Sequence, residues 1–280
     1  MAKVDVIKIC EKVLERLSIM DYERTGGIAT EQLIFPNKFP SKKKEKEILE
    51  KELLNYVRIS EQELRQLFIE EFLKEHSKEA NKLYYSIETP TQNKYKFGKT
   101  NDCIKVCKEG DIDSGQSALL DMCVFEKGIH DNKYKRILNI EFKHQNAALK
   151  NLTKDVLKLM HEEQNGAFVI LLKNTNIGTL CNSNKRGKGI FNKFKQSFDR
   201  FNKEWCDTTD KSIQLIIISL DQNTLIHHEI KRTDNFDDIF SFEDKFGNIE
   251  KVGRESSWQM KSLSDGFYIV AEDELKNEQG

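Results

Sequence analysis

The chain has no apolar run approaching the roughly 20 consecutive residues that a membrane-spanning helix requires. Its start also lacks the short apolar core of a secretory leader, so the expected location is the cytoplasm. Neither sign of charge is in surplus: 45 Lys and Arg stand against 46 Asp and Glu, for a net charge of −1. That balance argues against a general nucleic-acid coat protein but leaves room for a local basic patch. The six cysteines lack the paired spacing of a zinc site or a disulfide framework. Cys103 and Cys107 lie close together, with neither a second pair nor a matched histidine beside them. No solenoid period is visible. What is present is 280 residues, 32% charged and 38% hydrophobic, enough to bury a sizeable core in one large domain or two small ones.

Within that chain, Arg136 to Lys143 alternates cleanly. Leu138, Ile140 and Phe142 fall on one face of a predicted strand, and Asn139, Glu141 and Lys143 on the other. The first face is expected to pack and the second to carry chemistry. Upstream, Ser117 to Phe125 is apolar on both faces except for Asp121. An ionised carboxylate in such a strand is costly unless a cation compensates it. Between the two strands, Lys127 to Tyr134 holds Gly128 and the Asp131-Asn132 pair, which predicts a hairpin turn and antiparallel neighbours. Asp121, Glu141 and Lys143 then converge at one end of a sheet. Two carboxylates and an ammonium suit a hard divalent cation such as magnesium, which takes oxygen ligands and works on phosphate substrates. The ammonium would orient the attacking water, assist its deprotonation or offset transition-state charge.

An Asp in an apolar strand, Glu-Phe-Lys at the end of the next, then a helix and another apolar strand: this order resembles the PD-(D/E)XK nuclease superfamily, the restriction-endonuclease-like fold. Leu120 stands where the family's nominal proline would precede Asp121. The resemblance implies an α/β (α+β) protein with an αβββαβ core, a central mixed sheet flanked by helices, and a helical N-terminal extension. It also implies a metal-dependent deoxyribonuclease in which Asp121 and Glu141 ligate Mg2+ or Mn2+, the backbone carbonyl of Phe142 adds a ligand, and Lys143 serves the water. DNA is the expected substrate, with RNA left open. A prokaryotic restriction or phage-defence role, or one in repair or recombination, follows by analogy alone. A homodimer or a complex with another defence or repair protein is compatible with it. The rival expectation is a non-catalytic nucleic-acid- or partner-binding protein that keeps the fold while Asp121 and Lys143 form a structural ion pair.

The remaining segments fit around this centre. Val4 to Met20 has the period of an amphipathic helix, and Leu49 to Val57 that of another. Ser60 with Glu63 forms a capping box that opens a helix to about His76, with Leu64, Leu67, Phe68 and Phe72 on its apolar face. On that helix Glu61 and Glu71 fall nearest the apolar stripe, so either is a candidate third metal ligand. Lys82 to Thr91 reads as a strand ended by Pro90, with a second strand near Lys94 to Gly98; Glu88 is a spare carboxylate beside it. Asp111 and Asp113 are explained by turn chemistry. After Lys143, Gln145 is placed to contact substrate, His144 reads as a loop residue, and Leu149 to Glu163 is helical.

Ala167 to Leu172 and Ser212 to Leu220 read as buried strands. Between them, Lys185, Arg186 and Lys188, with Lys193, Lys195, Arg200 and Lys203 on the following helix, form the densest basic region and a candidate phosphate-tracking surface. His227-His228-Glu229 lacks zinc-hydrolase spacing and reads as structural. The chain then turns irregular and acidic, with one last strand expected over 266–270. The predicted division is a helical extension over 1–58, a nuclease core over 59–221 and a C-terminal extension over 222–280.

Overall fold

The computed structural model describes residues 4–19, 60–78, 82–98, 104–108, 115–128, 132–173, 175, 177–181, 189–208, 210–240 and 249–263. Its centre is an eight-stranded open sheet in the order β2-β1-β3-β4-β5-β6-β7-β8. The strands are β1 (Tyr84–Phe97), β2 (Ile104–Val106), β3 (Gln116–Lys127), β4 (Tyr134–His144), β5 (Asn165–Leu172), β6 (Ser212–Ser219), β7 (Thr224–Lys231) and β8 (Gln259–Ser262). Most neighbours run antiparallel, while β4–β5 and β5–β6 are parallel. The two parallel crossovers pass through helices, as parallel strands require.

Two apolar layers cover the sheet. On one face, α1 (Val6–Ile19) and α2 (Glu61–His76) pack onto Met122, Val124, Leu138, Ile140, Phe142, Val169 and Ile216. Residues 1–58, expected as an extension, thus contribute through α1 to the same cluster as α2. On the other face, α3 (Leu149–His161) and α4 (Ile190–Phe201) pack onto Cys123, Phe168, Ile170, Leu215 and Ile217. The apolar period of α4 places Phe191, Phe194 and Phe198 inward, where they meet Phe236, Phe240 and Trp258 of the C-terminal segment. That segment holds α5 (Phe236–Phe240) and α6 (Ile249–Glu255).

Several elements differ from expectation. Pro90 does not end a strand: β1 runs on to Phe97 with a register shift between Pro90 and Lys94. Proline offers no N–H to the ladder, so the chain bulges after it. The freed N–H groups of Gln92 and Asn93 donate instead to the buried Glu162 carboxylate, at 2.8 and 3.0 Å. His227 to Glu229 lies in β7, paired throughout with β6 and at His227 also with Gln259 of β8, rather than in a mixed segment. The last described strand is β8; the stretch 266–270 lies outside the described residues, as do the helix expected over 49–57 and Asp111 and Asp113.

Candidate functional site

Alternation along β4 puts Asn139, Glu141 and Lys143 on the α3 side, so the face expected to carry chemistry is packed as well over most of its length. Helix α3 roofs that side, and Asn139 and Glu141 are fully buried. Asn139 is held by Cys123 and by Gln164. Openness begins only toward the C-terminal end of β4.

Asp121 owes its position to a break in the sheet. The β3–β4 pairing ends at Met122 and Ile140, beyond which the two strands are no longer paired. On the other edge of β3, bridges join Ile87 to Met122 and Thr89 to Leu120, but none pairs Asp121 with Glu88, which has a φ of 48°. With its ladder interrupted on both sides, Asp121 turns its carboxylate into the gap and accepts the Phe142 N–H at 2.7 Å. The freed carbonyl of Leu119 is met by Lys158 Nζ at 2.7 Å. Ladder groups that parting strands would orphan are satisfied by side chains of the site.

Six charged side chains meet there. Lys143 Nζ lies 3.0 Å from Asp155, 3.5 Å from Glu61 and 3.9 Å from Asp121, and donates to the carbonyl of Phe142 at 2.8 Å. Lys158 Nζ lies 2.6 Å from Glu141 Oε1 and 2.8 Å from Asp155 Oδ1. Among the described residues four carboxylates face two ammonium groups, so the cluster they form, when fully ionised, carries two more negative than positive charges. Exposure is graded along it, from 36% for the Glu61 side chain through 16% for Asp121 and 13% for Lys143 to 1% for Glu141. Glu61 forms the mouth and Glu141 the floor.

The charges shift one another. Burial pushes the Glu141 carboxyl well above the usual carboxylate range, with Lys158 pulling against it. Burial also raises Glu61, opposed by Lys143. Burial would lower both lysines, but for Lys143 it is outweighed by Asp155, Asp121, Glu141 and Glu61, and for Lys158 by Glu141 and Asp155. Both are raised, so both are ammonium ions at neutral pH.

Among the described residues, no three His, Cys, Asp or Glu side chains converge in a grouping that could hold a metal ion. Ammonium groups sit between the carboxylates instead. The donor chemistry nevertheless fits a hard divalent cation, being all carboxylate and main-chain oxygen. Glu141 Oε1 has only the ammonium of Lys158, an ion pair without hydrogen-bond geometry, and its buried Oε2 has no hydrogen-bond donor among the described residues. An orphaned buried carboxylate oxygen is what a cation ligand offers.

The other candidates separate. Of the two carboxylates weighed on α2, Glu61 reaches the cluster, whereas Glu71 pairs with Arg16 at 3.0 Å and Lys74 at 2.6 Å, in the α1–α2 contact. Glu88 pairs with Arg65. Glu63 completes the capping box with the Ser60 N–H. Gln145 is exposed in the turn after β4, with a φ of 59° and its N–H on the carbonyl of Leu171. Lys185, Arg186, Lys188 and Cys103 lie outside the described residues.

The helical half of the basic region is less available than its composition suggests. Lys193 is buried and donates to the carbonyl of Ala147 at 2.7 Å, and Lys195 pairs with Asp199 and Asp237. Asp155 and Lys158 are the residues the sequence reading does not reach. Asp155 lies at the edge of the Leu152, Val156 and Leu159 stripe, the signal that singled out Glu61; Lys158 carries no such mark.

No family model matches this chain, no curated protein matches it, and no solved structure matches it.

Proposed function

We propose that the protein is a metal-dependent nuclease of the PD-(D/E)XK type that hydrolyses phosphodiester bonds in DNA, on a restriction-endonuclease-like core. The observation that carries this reading is the meeting of Asp121, Glu141 and Lys143 where β3 and β4 part, with Glu141 holding an oxygen that lacks a donor among the described residues. The order of α2, β1, β3, β4, α3 and β5, with β4 and β5 parallel, supports it as well. Asp121, Glu141 and the Phe142 carbonyl would hold Mg2+ or Mn2+, with Glu61 at the mouth as the third carboxylate. Such an ion, when bound, supplies Lewis acidity toward a phosphoryl oxygen and makes water a better nucleophile.

The chain's own residues do the rest. Asp121 is held in place by the Phe142 N–H, so its free oxygen is preoriented. Lys143 enters as an ammonium ion, which suits it to orienting water and offsetting charge on the phosphoryl oxygens rather than to acting as a base. The scissile phosphate approaches from the Glu61 side, because the Glu141 end is sealed by α3. The cluster's excess of negative charge would repel a phosphate, so activity should require the divalent cation.

One observation favours the rival reading of a non-catalytic binding module: both ammonium groups are placed to neutralise the carboxylates. Incubation of plasmid, linear and single-stranded DNA, and of RNA, with Mg2+ or Mn2+ decides between the two. Wild type should degrade DNA, and Lys143→Ala and Asp121→Asn should lose about a thousandfold in rate. If wild type and Lys143→Ala bind nucleic acid equally and cleave none, the binding module is the correct reading. Degradation of RNA alone would replace the substrate.

A further inference from the structure

Lys158 Nζ is surrounded by three oxygens from three elements: Glu141 Oε1 of β4 at 2.6 Å, the Leu119 carbonyl of β3 at 2.7 Å and Asp155 Oδ1 of α3 at 2.8 Å. Two carboxylates and a main-chain carbonyl are the donors a hard cation selects. A lysine serving only Asp155 could do so at the helix surface through its i, i+3 spacing, at little cost. Lys158 is instead buried, and taking an ammonium group out of water is expensive. Removing it would leave Glu141 and Asp155 facing each other with too little positive charge. Glu141 Oε2, fully buried, already has no donor among the described residues.

We propose that Lys158 is a built-in cation that occupies Glu141, the ligand it shares with the metal site, in the metal-free protein, and that a divalent metal ion engages Glu141 only when the Lys158 side chain swings out. The inference rests on the metal-binding reading given above and adds a regulation to it. The ammonium group keeps the cluster folded while no metal is present and sets a threshold concentration below which the site is not loaded. Asp155, released from Lys158, becomes available to the metal side of the cluster. The flexible four-carbon stem of lysine allows the movement without rearranging α3.

Calorimetric titration of the full chain with Mn2+, after removal of metal by chelation, tests this. Lys158→Gln, which keeps a donor for Leu119 but loses the charge, should bind Mn2+ about tenfold more tightly than wild type. Lys158→Arg, which keeps the charge, should bind no more tightly than wild type. A Lys158→Gln protein that binds as wild type does, or more weakly, while wild type binds, overturns the displacement and leaves the metal site standing. Absence of Mn2+ binding by every form overturns both. Wild type alone gives an answer independent of whether the variants fold. Modification of Lys158 by an amine reagent, followed by peptide mass spectrometry, should rise several-fold when Mn2+ is added. No rise overturns the proposal.

Discussion

Glu141 and Glu162 are both fully buried, Glu162 at the C-cap of α3 and Glu141 against Lys158 of its last turn, yet their oxygens have different fates. The Glu162 carboxylate accepts the backbone N–H groups of Gln92 and Asn93, the Asn93 amide at 3.2 Å and the Tyr95 hydroxyl at 3.2 Å, with the Arg136 guanidinium 3.5 Å away. Glu141 has one ammonium ion and an oxygen with no donor among the described residues. A buried charge whose hydrogen-bonding capacity is filled by backbone and neighbouring side chains is part of the architecture. One that is left short calls for a further partner, which on the proposed reading is a cation from outside the chain. Burial alone would have ranked the two alike; the partners of each oxygen separate them.

Substitution breaks or sharpens that contrast most directly. Glu162→Ala should cost about 3–5 kcal/mol of stability in urea unfolding, because it strands Arg136 and frees the donors at the β1 bulge. Glu141→Gln keeps an acceptor for Lys158 and removes a charge that burial disfavours, so it should change stability by no more than about 1 kcal/mol. The same substitution should abolish cleavage. If Glu141→Gln unfolds as readily as Glu162→Ala, both glutamates are structural and the distinction collapses.

A smaller effect tests the structural side through pH. Lys211 donates to the carbonyl of Gln164 at 2.9 Å and to that of Glu162, and burial lowers its pKa from 10.5 to about 8. Below pH 8 the amine is charged in both the folded and unfolded chains, and the folded chain bears the full cost of burying it. Between pH 8 and 10.5 the unfolded chain binds the extra proton, so stability from this group rises with pH. Lys211→Met lacks that slope. Its stability advantage over wild type should therefore shrink by about 1–2 kcal/mol between pH 7.5 and 9.5, measured by paired urea titrations. A constant difference between the two proteins would mean that Lys211 is not desolvated in the folded chain.

Legibility in the sequence followed the range of each interaction. The alternation of β4, the capping box at Ser60 and the apolar stripes of α2, α3 and α4 are local patterns, and the elements lie where those patterns place them. The same local logic brought Asp121, Glu141 and Lys143 to one sheet end. It failed where a distant partner decides the outcome. Pro90 reads as a strand end because nothing nearby announces that Glu162, some 70 residues later, will take up the N–H groups of the bulge. The burial of the polar face of β4 goes unread because its roof is α3, whose Lys158 is an ordinary helical lysine until Glu141 and Leu119 come to it. The β7 strand goes unread because its histidines interrupt the apolar period, although pairing with β6 and β8 holds it in the sheet.

The weakest effects distinguish the two carboxylates of α2, which the sequence leaves equivalent. Glu71 sits between Arg16 and Lys74 in the α1–α2 contact and is nearly as buried as Asp155. Replacing it with Gln keeps a hydrogen-bond acceptor but loses an ion pair, a cost of about 1 kcal/mol with cleavage unchanged. Glu61 is the more exposed, and its ion-pair partner among the described residues is Lys143 at 3.5 Å, so Glu61→Gln should alter stability by less than about 0.5 kcal/mol. If Glu61 completes the cluster at its mouth, the same substitution should weaken Mn2+ binding by about tenfold. An unchanged affinity would return Glu61 to the role of a surface partner for Lys143 and reduce the carboxylates available to a metal to Asp121, Glu141 and Asp155, the last of which becomes accessible only as Lys158 leaves.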